Sequence, residues 1–314
     1  MDLVAIIRSK IERAGEGNHF LGLKAVLRHI VTAVAHFDRG QDAADETAFT
    51  DCIYRTNQAF EGSLKEAFRV LTGKDPDKKT PHNIEEHFAS NDVFRSRVLR
   101  QFKNYRTEWR NPSTHDHKLD FDASEAFLAI VSVCAFTNVL LDQIIEKLAH
   151  DRSKLESKKE RMRIAKALKA KGTDLASFAA NLISEFISQY KPAHEEPRMR
   201  EAEFLGSLSG FIESIAPKLN VQIEVLLGTD RHYRGDLLLS RGNEKLLVEL
   251  KGTSFSRQLV RSGLEQLDRY FSISGIDQGV LVIANPPYAT PTIIDATTPR
   301  GRRVLVVAPR QTET

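Results

Sequence analysis

The chain has 314 residues, of which 41% are hydrophobic and 28% are charged, so it is long and apolar enough for two folded domains. This composition excludes a wholly disordered protein. The two cysteines, Cys52 and Cys134, exclude a C-x-x-C zinc site and argue against a disulfide scaffold. The net charge of +3 permits a nucleic-acid partner without requiring one. No run approaches the roughly 18 apolar residues of a membrane span, and the N-terminus is charged, so we expect a cytoplasmic protein.

Residues 1 to about 190 have the apolar spacing of helices. One stripe contains Leu23, Val26, Leu27, Ile30 and Val31, and a second runs from Ala59 to Leu71 before Gly73. A third runs from Ala126 to Leu148, preceded by Asp122, Ser124 and Glu125, which favour a helix N-terminus. The pattern predicts a helical domain over residues 1–150, with a loop at 74–81.

A basic segment follows this domain. Residues 151–172 contain nine Lys or Arg and three Asp or Glu, which is typical of a solvated connecting helix. The alternative is a basic stripe that follows a phosphate backbone. We predict a basic helical linker over 151–198, ending at the proline-containing segment 191–198.

Residues 199–314 have a different pattern. A helix is predicted over 201–219, followed by three short β-rich runs at 221–227, 235–240 and 245–250. A second helix is predicted over 257–271, and two apolar runs, 279–284 and 304–308, end the domain. This order predicts a mixed α/β sheet with helices packed on it.

The second and third β-rich runs are separated by Gly242 and Asn243, a favourable hairpin turn. With this turn, residues whose numbers sum to 485 face each other, so Asp236 faces Glu249 on one side of the sheet. Lys251 lies two residues beyond Glu249 and therefore points to the same face. Two adjacent carboxylates repel unless a cation lies between them, and Mg²⁺ is the natural candidate.

These residues resemble the PD-(D/E)XK, or restriction-endonuclease-like, nucleases. The resemblance rests on Arg234-Gly235-Asp236 and on Val248-Glu249-Leu250-Lys251-Gly252, with Gly235 in the place of the family's proline. It implies that Asp236, Glu249 and Leu250 hold Mg²⁺ or Mn²⁺ and that Lys251 assists a water. Further positions that match the family are an accessory acid, Glu203, and a Gln-x-x-x-Tyr pair, Gln266 and Tyr270.

A second motif, Trp109-Arg110-Asn111-Pro112-Ser113-Thr114-His115, precedes the long third helix. It resembles the Arg-x4–6-His motif of HEPN domains, helical bundles found in RNA-cleaving toxins and defence proteins. The resemblance implies that His115 moves protons, that Arg110 neutralises phosphorane charge and that Asn111 positions them. His117 fits the spacing as well as His115 does. The resemblance also implies a homodimer.

The combined interpretation is an endonuclease that hydrolyses nucleic acid, preferentially DNA, with a HEPN-like domain for dimerisation and RNA cleavage, in prokaryotic antiviral defence. One alternative is a metal-independent HEPN ribonuclease toxin whose C-terminal domain only binds nucleic acid. A second alternative is a non-catalytic module that binds nucleic acid or protein.

Overall fold

The computed structural model describes residues 2–91, 93–94, 96–115, 120–169, 174–193, 200–228, 233–252, 255–284 and 290–309, without side chains at 96–98, 114–115 and 169. The chain divides into two compact units, Met1–Lys147 and Leu148–Thr314. The predicted combination of a helical N-terminal part and an α/β C-terminal part is confirmed at this level.

The first unit is helical. Its elements are α1 (Leu3–Ala14), α2 (Phe20–Ala43), α3 (Thr47–Thr72), α4 (Pro81–Ser90), α5 (Ser96–Tyr105), a π-helical turn (Arg106–Arg110), α6 (Asn111–His115) and most of α7 (Ala123–Ser157). The start of α7 has the capping predicted for it. The Glu125 N–H donates to the Asp122 carboxylate at 2.8 Å, and the Asp122 N–H donates to the Glu125 carboxylate at 3.0 Å.

Helices α2 and α3 pack closely along much of their length. A Cβ atom at Gly22 would collide with the Glu66 side chain, and one at Gly40 would collide with Phe49, so both glycines permit the close approach. Contrary to the expectation that no run approaches a membrane span, α2 and α7 are by length and composition apolar enough to cross a membrane. Half of the most apolar window of α7 is buried within the protein, as in a core helix.

The second unit is a six-stranded sheet with helices on both faces. Its elements after α7 are α8 (Arg161–Lys169), α9 (Leu175–Gln189), α10 (Glu201–Ile215), β1 (Asn220–Leu227), β2 (Tyr233–Arg241), β3 (Glu244–Lys251), α11 (Arg257–Ser274), β4 (Gly279–Ile283), β5 (Pro291–Thr297) and β6 (Arg303–Pro309). The strand order is β1-β2-β3-β4-β6-β5, with parallel pairing of β3 with β4 and of β4 with β6.

Each face of the sheet has its own core. On one face, α8, α9 and α10 pack on Leu237, Leu239, Leu246 and Val248, the residues predicted for the buried side of the hairpin. On the other face, α11 packs on Leu247, Leu281 and neighbouring side chains. Asp236 and Glu249 belong to the α11 face because they alternate with the buried leucines and valine.

Two features differ from the sequence prediction. An additional strand, β5, lies between β4 and β6 in the chain and forms a sheet edge antiparallel to β6. The segment expected as a linker, 151–198, contributes α8 and α9 to the core of the second unit, and the unit boundary lies within α7. The reason is the apolar composition of α9, which buries Leu175, Leu182, Ile183 and Phe186 against the sheet.

Candidate active site

The β2–β3 hairpin has the predicted register. Arg241 pairs with Glu244, and Leu237 pairs with Val248, so the residue numbers of each pair sum to 485. Gly242 has a φ of +60°, a backbone conformation that favours glycine at this turn. The hairpin therefore brings Asp236 and Glu249 to the same level of two neighbouring strands.

Regular pairing between β2 and β3 ends at Leu237 and Val248, one residue before the two acids. Beyond that point β3 continues its pairing with β4, through Glu249 and Lys251. One carboxylate oxygen of Asp236 accepts the Leu250 N–H at 2.6 Å. The side chain of Asp236 thus provides a hydrogen-bond acceptor where the two strands separate.

A chain of hydrogen bonds runs from Glu249 to the following helix. The Lys251 ammonium donates to Glu249 Oε1 at 2.7 Å and to Gln266 Oε1 at 2.7 Å. The Gln266 amide nitrogen donates to the Tyr270 hydroxyl at 2.6 Å. Four side chains that are separated by up to 21 residues in sequence are therefore connected, and Lys251 is held between a strand and a helix.

Burial is the main influence on both acids. It raises the pKa of Asp236 above the ordinary value, against the lowering effects of the Leu250 N–H and of Lys251. Burial and then the charge of Asp236 raise the pKa of Glu249, and Lys251 opposes this increase. Glu249 is 2% exposed, and its Oε2 atom has no hydrogen-bond partner among the described residues. The site is therefore short of positive charge.

The preceding helix has two acids in its first turn, Glu201 and Glu203. Glu203 is buried, and its carboxylate accepts the Ala193 N–H at 2.8 Å. The exposed Glu201 instead acts electrostatically on the site, because its charge raises the pKa of both Asp236 and Glu249. Residues two positions apart on a helix are rotated by about 200° around its axis, so the side chains of Glu201 and Glu203 point in different directions.

Arg234, the first residue of the motif, acts on the site, and two side chains outside the motif, Glu224 and Tyr233, contact motif residues. Arg234 precedes Asp236 by two residues, forms an ion pair with Glu224 and lowers the pKa of Asp236. Glu224 has a φ of +57° in the middle of β1, a rare conformation for a residue with a side chain. The ring of Tyr233 lies 6.3 Å from that of Tyr270. The ion pair arises from the β1–β2 pairing and the ring contact from the packing of α11 on the sheet, and the motif spacing reveals neither.

The described residues contain no group of three His, Cys, Asp or Glu side chains in a metal-binding arrangement. The donors present are the two carboxylates of Asp236 and Glu249. Leu250, the third position expected at the metal, buries its side chain in the core of the opposite face. The unpartnered oxygen of Glu249 and the raised carboxyl pKa values fit a hard divalent cation that completes its shell with water and phosphate oxygens.

The second motif lies in the helical unit. Arg110 ends the π-helical turn, and Asn111 begins α6. The Arg110 guanidinium donates to Glu61 on α3 at 2.8 Å and to the Asn111 side-chain oxygen at 3.2 Å. His115 ends α6, but its side chain lies outside the described part of the structure, as does all of His117. The structure brings Arg110 and Asn111 together and leaves the choice between the histidines open.

A buried polar network attaches this motif to α3. The Asn57 amide donates to the Ser113 hydroxyl at 2.7 Å, and Ser113 donates to the Arg110 carbonyl at 3.1 Å. The ring of Trp109 packs 5.5 Å from that of the buried Tyr105. The motif therefore has a defined position on α3.

Comparison of the chain with protein-family models, with curated proteins and with solved structures found no match.

Proposed function

We propose that the second unit is a metal-dependent endonuclease of the PD-(D/E)XK type that hydrolyses phosphodiester bonds, preferentially of DNA. The observation that carries this proposal is the arrangement of Asp236, Glu249 and Lys251. The buried carboxylate of Glu249 and the partly buried carboxylate of Asp236 lie at the point where two strands separate, and one oxygen of Glu249 has no partner among the described residues. A surface hairpin with locally paired charges would not require such burial.

The roles follow from the contacts. Asp236 and Glu249 would hold Mg²⁺ or Mn²⁺, and Leu250 is the third position expected to contribute. When bound, the ion would lower the pKa of a water and polarise the phosphate. The Lys251 ammonium would donate a hydrogen bond to that water and orient it, while Gln266, itself held by Tyr270, keeps the ammonium in place. Because the Lys251 ammonium already donates a hydrogen bond to Glu249, the position of the ammonium is defined before substrate binds.

The test is cleavage of supercoiled plasmid by the full-length protein in Mg²⁺ or Mn²⁺, with single-stranded DNA and RNA as further substrates. We expect Asp236→Asn, Glu249→Gln and Lys251→Ala each to reduce the rate by about 100-fold or more. Gln266→Leu removes only the support of Lys251, so its loss of rate is smaller.

The matched control is Glu244→Gln, since Glu244 lies on the same hairpin but pairs with Arg241 at the turn. This variant keeps the parental rate. Cleavage that persists in the Asp236 and Lys251 variants contradicts the proposed centre. A calorimetric titration with Mn²⁺ separates metal binding from turnover, because Glu249→Gln abolishes the binding signal if the assignment is right.

We propose, as a second candidate function, metal-independent RNA cleavage by the HEPN-like helical unit. The contact between Arg110 and Asn111 favours it, because it holds the cation and the amide of the motif together. Arg110 would neutralise charge on the phosphorane once it is released from Glu61. In this scheme the unit also dimerises the protein, and its biological setting is prokaryotic antiviral defence.

RNA incubated with the protein in EDTA tests this second function. We expect fragments with cyclic-phosphate ends, which disappear in Arg110→Ala. They also disappear in either His115→Ala or His117→Ala, and this result identifies the histidine that acts in cleavage. The control is Arg100→Ala, an exposed arginine of the preceding helix. RNA that stays intact in EDTA rejects metal-independent cleavage and leaves the metal-dependent proposal unaffected.

A further inference from the structure

The helical unit contains a cleft between α2 and α3 that neither proposed function uses. Its volume is about 480 Å³. Polar or aromatic side chains line it: His29, His36, Asp51, Tyr54, Arg55 and Gln58. The lining is therefore suited to a polar ligand.

The two helices form this cleft by their spacing. Close approaches at Gly22 and Gly62 on one side and at Gly40 on the other hold α2 and α3 together. Between these points the α3 residues of the cleft recur at spacings of three and four, so they share one face of the helix. The cleft is thus part of a closely packed helix pair.

One end of the cleft has excess positive charge. Burial, followed by the charges of Arg55 and Arg28, lowers the pKa of His29, so both arginines lie close to this ring. Both arginines are exposed, and neither has an ion-pair partner among the residues that the structure describes. An anion would compensate this charge.

The other end of the cleft is already neutral. The Asp51 carboxylate accepts a hydrogen bond from Arg39 at 2.9 Å and lies 3.9 Å from His36 Nδ1. Asp51 is therefore paired with Arg39 and does not neutralise the His29 end. The charge in the cleft is asymmetric, which would orient a ligand that has one anionic end.

An aromatic ring lies beside the cationic end. Tyr54 is 49% exposed although it is a large aromatic side chain, and Gln58 follows it by one helical turn. An exposed tyrosine ring next to arginines provides a stacking surface for a base, and the amide of Gln58 can donate and accept hydrogen bonds.

We propose that the α2–α3 cleft binds a nucleotide phosphate, with Arg55 and Arg28 contacting the phosphate and Tyr54 stacking on the base. The phosphate can belong to a free mononucleotide or to a strand of RNA, and the chemistry of recognition is the same in both. The proposal does not depend on cleavage by either unit.

The experiment measures binding of AMP and of an RNA hexamer with 2′-O-methyl riboses, which cannot react through the 2′-hydroxyl. Both are titrated into the full-length protein in EDTA, and hydrogen–deuterium exchange locates protection. We expect protection of α2 and α3 and a dissociation constant about tenfold or more weaker in Arg55→Gln. Tyr54→Leu weakens binding without any change of charge.

The matched control is Arg8→Gln, which removes the same charge from an exposed position on α1. Tighter binding of the hexamer identifies a strand as the source of the phosphate, and equal or tighter binding of AMP identifies the free nucleotide. The proposal is overturned if neither ligand protects α2 and α3, or if Arg55→Gln weakens binding no more than Arg8→Gln does. Circular dichroism of each variant excludes unfolding as the cause.

Discussion

Glu249 places a carboxylate in the protein interior beside a second acid, with Lys251 as its hydrogen-bond donor. Such an arrangement costs folding free energy, because a buried charge without full compensation is poorly solvated. Strain of this kind concentrates at functional sites, where a ligand relieves it. The residue therefore connects the stability of the fold with the proposed chemistry.

The raised pKa of Glu249 has a defined effect on stability. The folded state holds the proton more tightly than the unfolded state does, so stability is greatest below the unfolded pKa of about 4.3 and declines as the pH rises through the folded pKa. We predict that Glu249→Gln, which cannot ionise, raises the Tm of the metal-free protein at pH 8 and has a smaller effect at pH 4.5. Thermal denaturation in EDTA at the two pH values measures this.

Thermal denaturation in the presence of a divalent ion tests whether the site binds metal. Mn²⁺ binds the native state only, so it should raise the Tm of the parent and leave that of Glu249→Gln unchanged. A lower Tm for Glu249→Gln at pH 8 would show that the carboxylate is satisfied in the folded protein, contrary to our interpretation.

At the scale of elements, α11 determines where Gln266 meets Lys251. Gly263, one turn before Gln266, faces Leu281 on β4 so closely that a Cβ atom would lie 2.6 Å from a methyl group. The glycine therefore lets the helix approach the sheet, and the hydrogen bond from Lys251 to Gln266 depends on this approach.

We predict that Gly263→Ala destabilises the protein by about 1–3 kcal/mol, because it forces α11 away from β4. It should also reduce nuclease activity below that of Ser262→Ala, the adjacent exposed position on the same helix. Chemical denaturation and plasmid cleavage measure the two effects. Equal behaviour of the two variants would mean that the helix does not position the site.

The π-helical turn is the corresponding element of the first unit. It shifts the hydrogen-bonding pattern between α5 and α6 at Arg110, where the motif begins. Turns of this kind are frequent at functional sites because they change the direction of side chains within a helix. Here the turn accompanies the contacts of Arg110 with Glu61 and Asn111.

At the scale of the whole molecule, the proposed homodimer has a candidate surface on the helical unit. Phe127 and Leu128, near the start of α7, are 54% and 53% exposed. Exposed apolar groups on a helix commonly mark an interface. A second copy of the chain is the occupant that the HEPN resemblance implies.

We predict a mass in solution near twice 35.4 kDa, measured by light scattering coupled to size-exclusion chromatography. The double variant Phe127→Glu and Leu128→Glu should be monomeric, because charge repels charge across a two-fold interface. Leu155→Glu, an exposed apolar position further along α7, is the control and should keep the parental mass. A monomeric parent protein contradicts the proposed dimer.

Local patterns in the sequence determined much of the second unit. The hairpin register followed from Gly242 and from the alternation of apolar residues, since a slip of one residue would move every side chain to the other face. The helical character of the first unit and the cap of α7 also followed from periodicity and from Asp122 and Glu125. These features depend on neighbours in the chain, which are visible in the sequence.

Contacts between distant segments were decided only by the tertiary structure. The packing of α8 and α9 on the sheet, the edge strand β5 and the burial of Glu203 each depend on how helices are rotated and which strands pair. The α2–α3 cleft likewise requires two helices to lie side by side. Burial and electrostatic fields arise when the chain is compact, so the sequence specifies them only through the fold.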